Sequence, residues 1–173
     1  RKADAIYVAE VLAAWAGRYL GAAAEDDSSG TAEAVVVEET GEGKFTQRIV
    51  VGPHRLRADE PESYGGLDSG PSPYDLLLAG LGACTSMTLR LYAERKKLAL
   101  ERVRVTLRHE KIHAQDCESC ATRAGRIARI ERLVDLRGDL SEEERRRLLE
   151  IAEKCPVHRT LESEVLVETR EAD

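Results

Sequence analysis

The chain has 173 residues, 42% hydrophobic but only 4% aromatic, and its 26 basic and 32 acidic side chains leave a formal net charge of −6. That length suits one ordinary domain with a short appendage, its core filled by Leu, Val, Ile and Ala. A net acidic chain gains little from counterion release, which excludes general nucleic-acid binding. No apolar run is expected to reach the roughly 20 residues of a membrane span, the opening residues do not form a secretory signal, and four cysteines are too few for a disulfide scaffold.

Residues 4–20 carry Ile6, Val8, Val11, Leu12, Trp15 and Leu20 at mostly helical spacing, which predicts an amphipathic helix. Gly21 and the run from Glu25 to Gly30 then mark a stop and a linker. A domain boundary falls there, with residues 1–30 as helix and linker and residues 31–173 as the main domain. Residues 34–38 and 44–51, separated by Thr40-Gly41-Glu42-Gly43, have a hairpin pattern, and residues 54–58 suit a third strand. Residues 59–73 are rich in Gly, Ser, Pro and Asp and read as a loop.

From Tyr74 to Lys97 there is no proline. Pro73 suits a first helical position, Ser72 the cap before it, and Asp75 the positive end of the helix dipole. The middle of this helix is apolar on nearly all sides, which predicts burial all round. Gly80 and Gly82 inside it each cost roughly 1 kcal/mol against alanine, a cost that close helix packing would offset. Residues 101–112 alternate, with Val103, Val105 and Leu107 facing one way and Arg102, Arg104 and Arg108 the other, as a half-buried strand does. Residues 127–136 are β-compatible. Ser141 and Glu144 form a capping-box signature for a helix to about residue 154, which Cys155-Pro156 ends, and residues 164–168 suit a last strand. Grouped strands and helices of this kind predict an α+β fold with a mainly antiparallel sheet.

Four cysteines need separate weighing. Cys84, among small residues of the long helix, is by itself accounted for as a small hydrophobe. Cys155 is by itself an ordinary residue at a helix end. As a pair they suit a reactive thiolate with a resolving thiol, provided the fold brings the two sulfurs together. Cys117 and Cys120, with His109 and His113 upstream, offer zinc ligands, a second redox pair, or a plain solvated loop; the spacing matches no standard zinc motif. Catalytic-triad order, phosphate loop and dinucleotide fingerprint are all missing from the sequence.

The stretch Gly65-Gly66-Leu67-Asp68-Ser69-Gly70-Pro71-Ser72-Pro73-Tyr74-Asp75-Leu76-Leu77-Leu78-Ala79-Gly80-Leu81-Gly82-Ala83-Cys84-Thr85-Ser86-Met87-Thr88-Leu89-Arg90, followed much later by Glu153-Lys154-Cys155-Pro156-Val157-His158-Arg159-Thr160-Leu161, resembles the OsmC/Ohr family of osmotically inducible and organic hydroperoxide resistance proteins. The resemblance runs over about residues 32–169. It implies antiparallel sheets wrapped around long central helices in an intertwined homodimer. It also implies a cysteine-based peroxidase of oxidative-stress defence, in which Cys84 is oxidised by an organic hydroperoxide to a sulfenic acid and Cys155 resolves it. No bound cofactor or metal is expected, an external dithiol is the reductant, and the location is cytoplasmic, with neither nucleic acid nor membrane as partner. Well-studied members pair an arginine of the first hairpin with a glutamate at the start of the central helix. Here Tyr74 stands at the glutamate's place with Asp75 beside it, and Gly43 and Lys44 stand at the arginine's, with Arg48 further on. Lys44 or Arg48 is the implied stand-in for the arginine and Asp75 for the glutamate, with Lys44 and Asp75 taken as the site pair, although a lysine lacks the guanidinium fork. The departure leaves room for a second reading, a redox-sensing or small-molecule-binding dimer with little turnover. Residues 6–16 are also similar to the last helix of an α/β-hydrolase, and the first residue is Arg1 rather than Met; the two readings are a fusion behind a hydrolase domain and an ordinary N-terminal helix.

Overall fold

The computed structural model describes residues 34–116, 122 and 124–172. The helix and linker predicted within residues 1–30, and Cys117 and Cys120, lie outside them. The described chain forms two compact units, residues 34–40 with 47–56 and residues 41–46 with 57–172.

The first unit is built on a three-stranded sheet in the order β1 (Val35–Glu39), β2 (Gln47–Val51), β3 (His54–Ala58). The last two residues of β3 already belong to the second unit. β1 and β2 are antiparallel, with Val35 opposite Val51 and Glu39 opposite Gln47. Arg48 forms an ion pair with Glu38, directly across the ladder. Gly52, at φ +54°, supplies the left-handed backbone of the tight connection to β3.

The second unit contains helix α1 (Pro73–Lys96), the long hairpin β4 (Ala99–His113) with β5 (Arg126–Asp139), and helices α2 (Glu142–Ala152) and α3 (Pro156–Glu162). The start of α1 is as predicted. The Ser72 hydroxyl accepts from the Asp75 N–H, the Asp75 carboxylate accepts from the Ser72 N–H, and Pro73 fills the first position. It ends at Lys97, held at φ +55°, which lets the Leu98 N–H reach back to the Ala93 carbonyl. α2 opens with the predicted capping box of Ser141 and Glu144.

β4 and β5 pair antiparallel from Ala99 opposite Asp139 to His113 opposite Arg126, with one register shift between Leu100 and Arg102. The bulge depends on Gly138, because a Cβ there would lie 2.0 Å from the Ala99 carbonyl oxygen. Two arginines satisfy the carbonyls around it. Arg90 donates to those of Leu100 (2.6 Å) and Glu101 (2.9 Å), and Arg145 to those of Leu136 (2.7 Å) and Gly138 (3.2 Å). The core joins Leu89 and Ala93 of α1, Leu100 of β4, Leu136 of β5, Leu140, and Leu148, Ile151 and Ala152 of α2.

Four expectations change. α1 is not buried all round within this chain: only Leu81, Thr85, Leu89 and Ala93 are buried, a single stripe. On another side Leu77, Gly80, Met87 and Leu91 are exposed, Met87 by 70%. Gly82 does pack closely, its Cβ position 2.9 Å from Leu107, but that of Gly80 has no described heavy atom within 4 Å. The 24 residues of α1 are also long and apolar enough, by length and composition, to cross a membrane, against the expectation that no such run exists. Their apolarity serves two faces at once, one in the core and one uncovered. Lastly, residues 164–168 form no strand here, and Cys155-Pro156 both ends one helix and begins another.

The loop before α1 is organised by a residue outside every motif singled out above. Asp59 is 2% exposed. Its carboxylate accepts from the Ser69 hydroxyl (2.7 Å), the Glu60 N–H (2.9 Å), the Thr46 hydroxyl (3.1 Å), the Leu67 N–H (3.2 Å) and the Ser69 N–H (3.3 Å). The Ser69 hydroxyl bond is the largest influence. Burial opposes it, but with the other donors it holds the pKa at about 2 against an ordinary 3.8. A depressed carboxyl stabilises the fold above its unfolded pKa and loses that contribution as pH falls toward the folded value. Asp59→Asn is therefore expected to melt roughly 5 °C or more below the parent at neutral pH. The gap should narrow as pH drops from the ordinary carboxylate value of 3.8 toward about 2. Thermal melts of both proteins across that range check this, and a gap independent of pH would contradict it.

Candidate active site

Cys84 sits in the middle of α1 and is half-buried; Cys155 is fully buried, at 0% exposure. Both are free thiols. Cys155 is also the N-cap of α3, where Pro156 takes the first helical position and the sulfur accepts the His158 N–H at 3.4 Å. The packing of α3 and the end of α2 against α1 puts this sulfur beside two consecutive residues of α1. The Thr85 hydroxyl lies 3.7 Å from it, and the neighbouring Cys84 thiol is near enough to favour its ionised form.

A fourth group completes the cluster. Arg132, near the middle of β5, donates from Nη1 to the Thr85 hydroxyl and to the Ala152 carbonyl, both at 3.1 Å. Burial pushes the Cys155 thiol up. The His158 N–H, the Thr85 hydroxyl, the Cys84 thiol and the Arg132 charge act the other way and prevail, leaving the pKa below the ordinary thiol value. Outside the cluster an open groove of about 630 Å³ is lined by Arg132, Glu153, Lys154, His158, Arg159 and Glu162.

The other predicted residues lie elsewhere. The Asp75 carboxylate is engaged by Ser72, through its N–H (3.0 Å) and hydroxyl (2.6 Å), and its pKa is lowered by those bonds. The exposed Lys44 holds its ammonium 4.8 Å from the centre of the Phe45 ring. Among the described residues no ion pair joins Lys44 to Asp75. Arg48 is paired with Glu38 in the first unit. Tyr74 stacks on His109, ring centres 4.3 Å apart, and His113 is exposed near the end of β4. Thr85 and Arg132 were not anticipated. Thr85 follows Cys84 in sequence, but Arg132 is one arginine among many, and no spacing in the sequence ties it to Cys155.

A long helix carrying one thiol, a second thiol capping a short helix against it, and antiparallel sheets define the class. The chain belongs to the OsmC-like protein family, whose model matches residues 66–170. Among solved structures it is similar to an OsmC-like protein from Mycoplasma pneumoniae (20% identity, covering 78% of this chain and 89% of that one, TM-score 0.57). It is likewise similar to an organic hydroperoxide resistance protein OsmC from Legionella pneumophila (21%, 76% and 91%, TM-score 0.54). A third is an organic hydroperoxide resistance protein from Elizabethkingia anophelis (22%, 75% and 89%, TM-score 0.54). At these identities the likeness establishes the fold. No protein in the curated comparison matches.

Proposed function

We propose that this chain is a cysteine peroxidase that reduces organic hydroperoxides, with Cys84 as nucleophile and Cys155 as resolving thiol. It works as an intertwined homodimer in the cytoplasm, without bound cofactor, and an external dithiol recharges it. The observation that carries the reading is the meeting of two free thiols from distant parts of the chain: Cys155 is packed against Thr85, the residue next to Cys84, and the Cys84 thiol favours its ionised form. Family membership and the names of two solved relatives point the same way.

The chemistry balances in three steps. The Cys84 sulfur attacks the outer peroxide oxygen; the O–O bond breaks, an S–O bond forms, and the alcohol leaves with a proton. Cys155 then attacks the sulfenic sulfur, forming a disulfide and releasing water. A dithiol opens the disulfide by exchange and is itself oxidised. Asp75 and Lys44 are assigned electrostatic support of the reacting thiolate. That assignment comes from family resemblance, with Asp75 in the first turn of the helix that bears Cys84.

The homodimer is supported by the uncovered side of α1. Leu77, Gly80, Cys84, Met87 and Leu91 follow the three-then-four spacing of a helix–helix seam. A second copy of the helix is the occupant that suits a long seam with a glycine in it.

The test is consumption of cumene hydroperoxide against hydrogen peroxide with a dithiol present. Rapid turnover that prefers the organic peroxide is expected. Negligible turnover of both by the folded dimer would replace this reading with the redox-sensing or binding one.

A further inference from the structure

We propose that Arg132, acting through Thr85, is the positioning residue that keeps the Cys155 sulfur anionic, and that this anion is the proton acceptor for Cys84. The inference rests on the peroxidase reading and adds to it a cation and a proton route.

The geometry carries it. The Cys155 sulfur is wholly buried, and an anion in such a place is costly unless donors converge on it. They do, from three elements. α3 supplies the His158 N–H at 3.4 Å, and α1 supplies the Cys84 thiol and the Thr85 hydroxyl. β5 supplies the Arg132 charge, one residue removed.

The hydrogen count of Thr85 explains why the arginine acts through it. A hydroxyl has one hydrogen and two lone pairs. Arg132 occupies one lone pair. The single hydrogen has two acceptors in reach, the Leu81 carbonyl at 2.8 Å and the Cys155 sulfur at 3.7 Å. A neutral thiol leaves that hydrogen on Leu81; a thiolate, the stronger acceptor, draws it over, and the guanidinium polarises the O–H in that direction. Since Nη1 of Arg132 also holds the Ala152 carbonyl, the cation is fixed to the end of α2, three residues before the sulfur.

The other charged groups nearby are accounted for. The His158 imidazole lies 3.0 Å from Glu162. Glu153, Lys154 and Arg159 line the outer groove. Among the described residues no carboxylate is hydrogen-bonded to the sulfur.

The proton route then follows. As the Cys84 sulfur attacks the outer peroxide oxygen, its proton passes to the neighbouring Cys155 thiolate. The O–O bond breaks and the alkoxide takes a proton from water. Cys84 is left as the sulfenic acid and Cys155 as the thiol. Two electrons have moved from Cys84 to the peroxide. When Cys155 next attacks, its proton leaves with the sulfenic hydroxyl as water.

The test isolates Cys155 in a protein in which Cys84, Cys117 and Cys120 are all replaced by Ser, and follows its thiolate by ultraviolet absorbance against pH. Arg132→Met and Thr85→Val are each expected to move the titration upward by about one pH unit or more. Thr85→Ser should restore it, and Arg132→Lys should restore part. With both cysteines present, the pH of half-maximal single-turnover oxidation of Cys84 should move upward by the same amount. An unmoved titration in the near-isosteric Thr85→Val protein overturns the assignment even if Arg132→Met fails to fold. A moved titration with an unmoved rate profile overturns the proton-acceptor role. Because the titration needs no peroxide, it reads the Arg132 assignment separately: a shifted titration in a protein that consumes no peroxide removes the peroxidase reading alone.

Discussion

Cys84→Ser is expected to abolish peroxide consumption, down to the rate of the uncatalysed reaction with free dithiol. The serine hydroxyl keeps the size and most of the hydrogen bonding of the thiol, so the fold should survive. What it lacks is a nucleophile ionisable near neutral pH and able to hold oxygen as a sulfenic acid. Cys155→Ser should behave differently. It should complete one turnover and stop, with Cys84 trapped as sulfenic acid or oxidised further, because the thiol assigned to close the disulfide is gone. Mass spectrometry of the two proteins after one equivalent of cumene hydroperoxide distinguishes the roles. A mass gain of one oxygen on Cys155 in Cys84→Ser, with turnover preserved, would reverse them.

The second large effect is expected at the uncovered side of α1. Met87→Glu places a carboxylate in the middle of the Leu77–Leu91 seam, at a residue 70% exposed in the single chain. Within one chain the change touches no core residue and should leave the melting temperature of the monomer nearly unchanged. In a homodimer it buries like charges against each other. Several kcal/mol of such repulsion and desolvation weaken association by about a hundredfold or more. Sedimentation is expected to show a dimer for the parent and a monomer for Met87→Glu, with turnover lost alongside the dimer. A parent that sediments as a monomer, or a variant dimer of equal affinity, would remove the seam from the interface.

Much of the fold was legible because its signals are local. Ser72, Pro73 and Asp75 act within one turn, and the Ser141–Glu144 box needs only four residues. The alternation of Val103, Val105 and Leu107 is a property of one strand. Legibility fails where the determinant is nonlocal. The sequence around Cys155-Pro156 reads as a stop, yet a proline at a first helical position begins a helix as readily as it ends one. Val165, Leu166 and Val167 have strand composition but no strand to pair with among the described residues. The meeting of Cys84, Thr85, Arg132 and Cys155 depends on three elements packing together, and Arg132 carries no mark in the sequence that sets it apart from its neighbours on β5. The burial of α1 was overestimated for a related reason. Apolarity on every side tells how much surface avoids water, not whether the same chain covers it.

The bulge of the β4–β5 hairpin has a consequence for how acid dismantles this protein. Its carbonyls are held by Arg90 and Arg145, and no carboxylate takes part in these bonds. Protonation can therefore remove nothing from that corner. The loop ahead of α1 is held the opposite way, by one carboxylate that gathers five donors. Acid should open the molecule regionally, with amide exchange rising first between Glu60 and Ser69 while Ala99–Glu101 stays protected. The hairpin would then be the last part to let go.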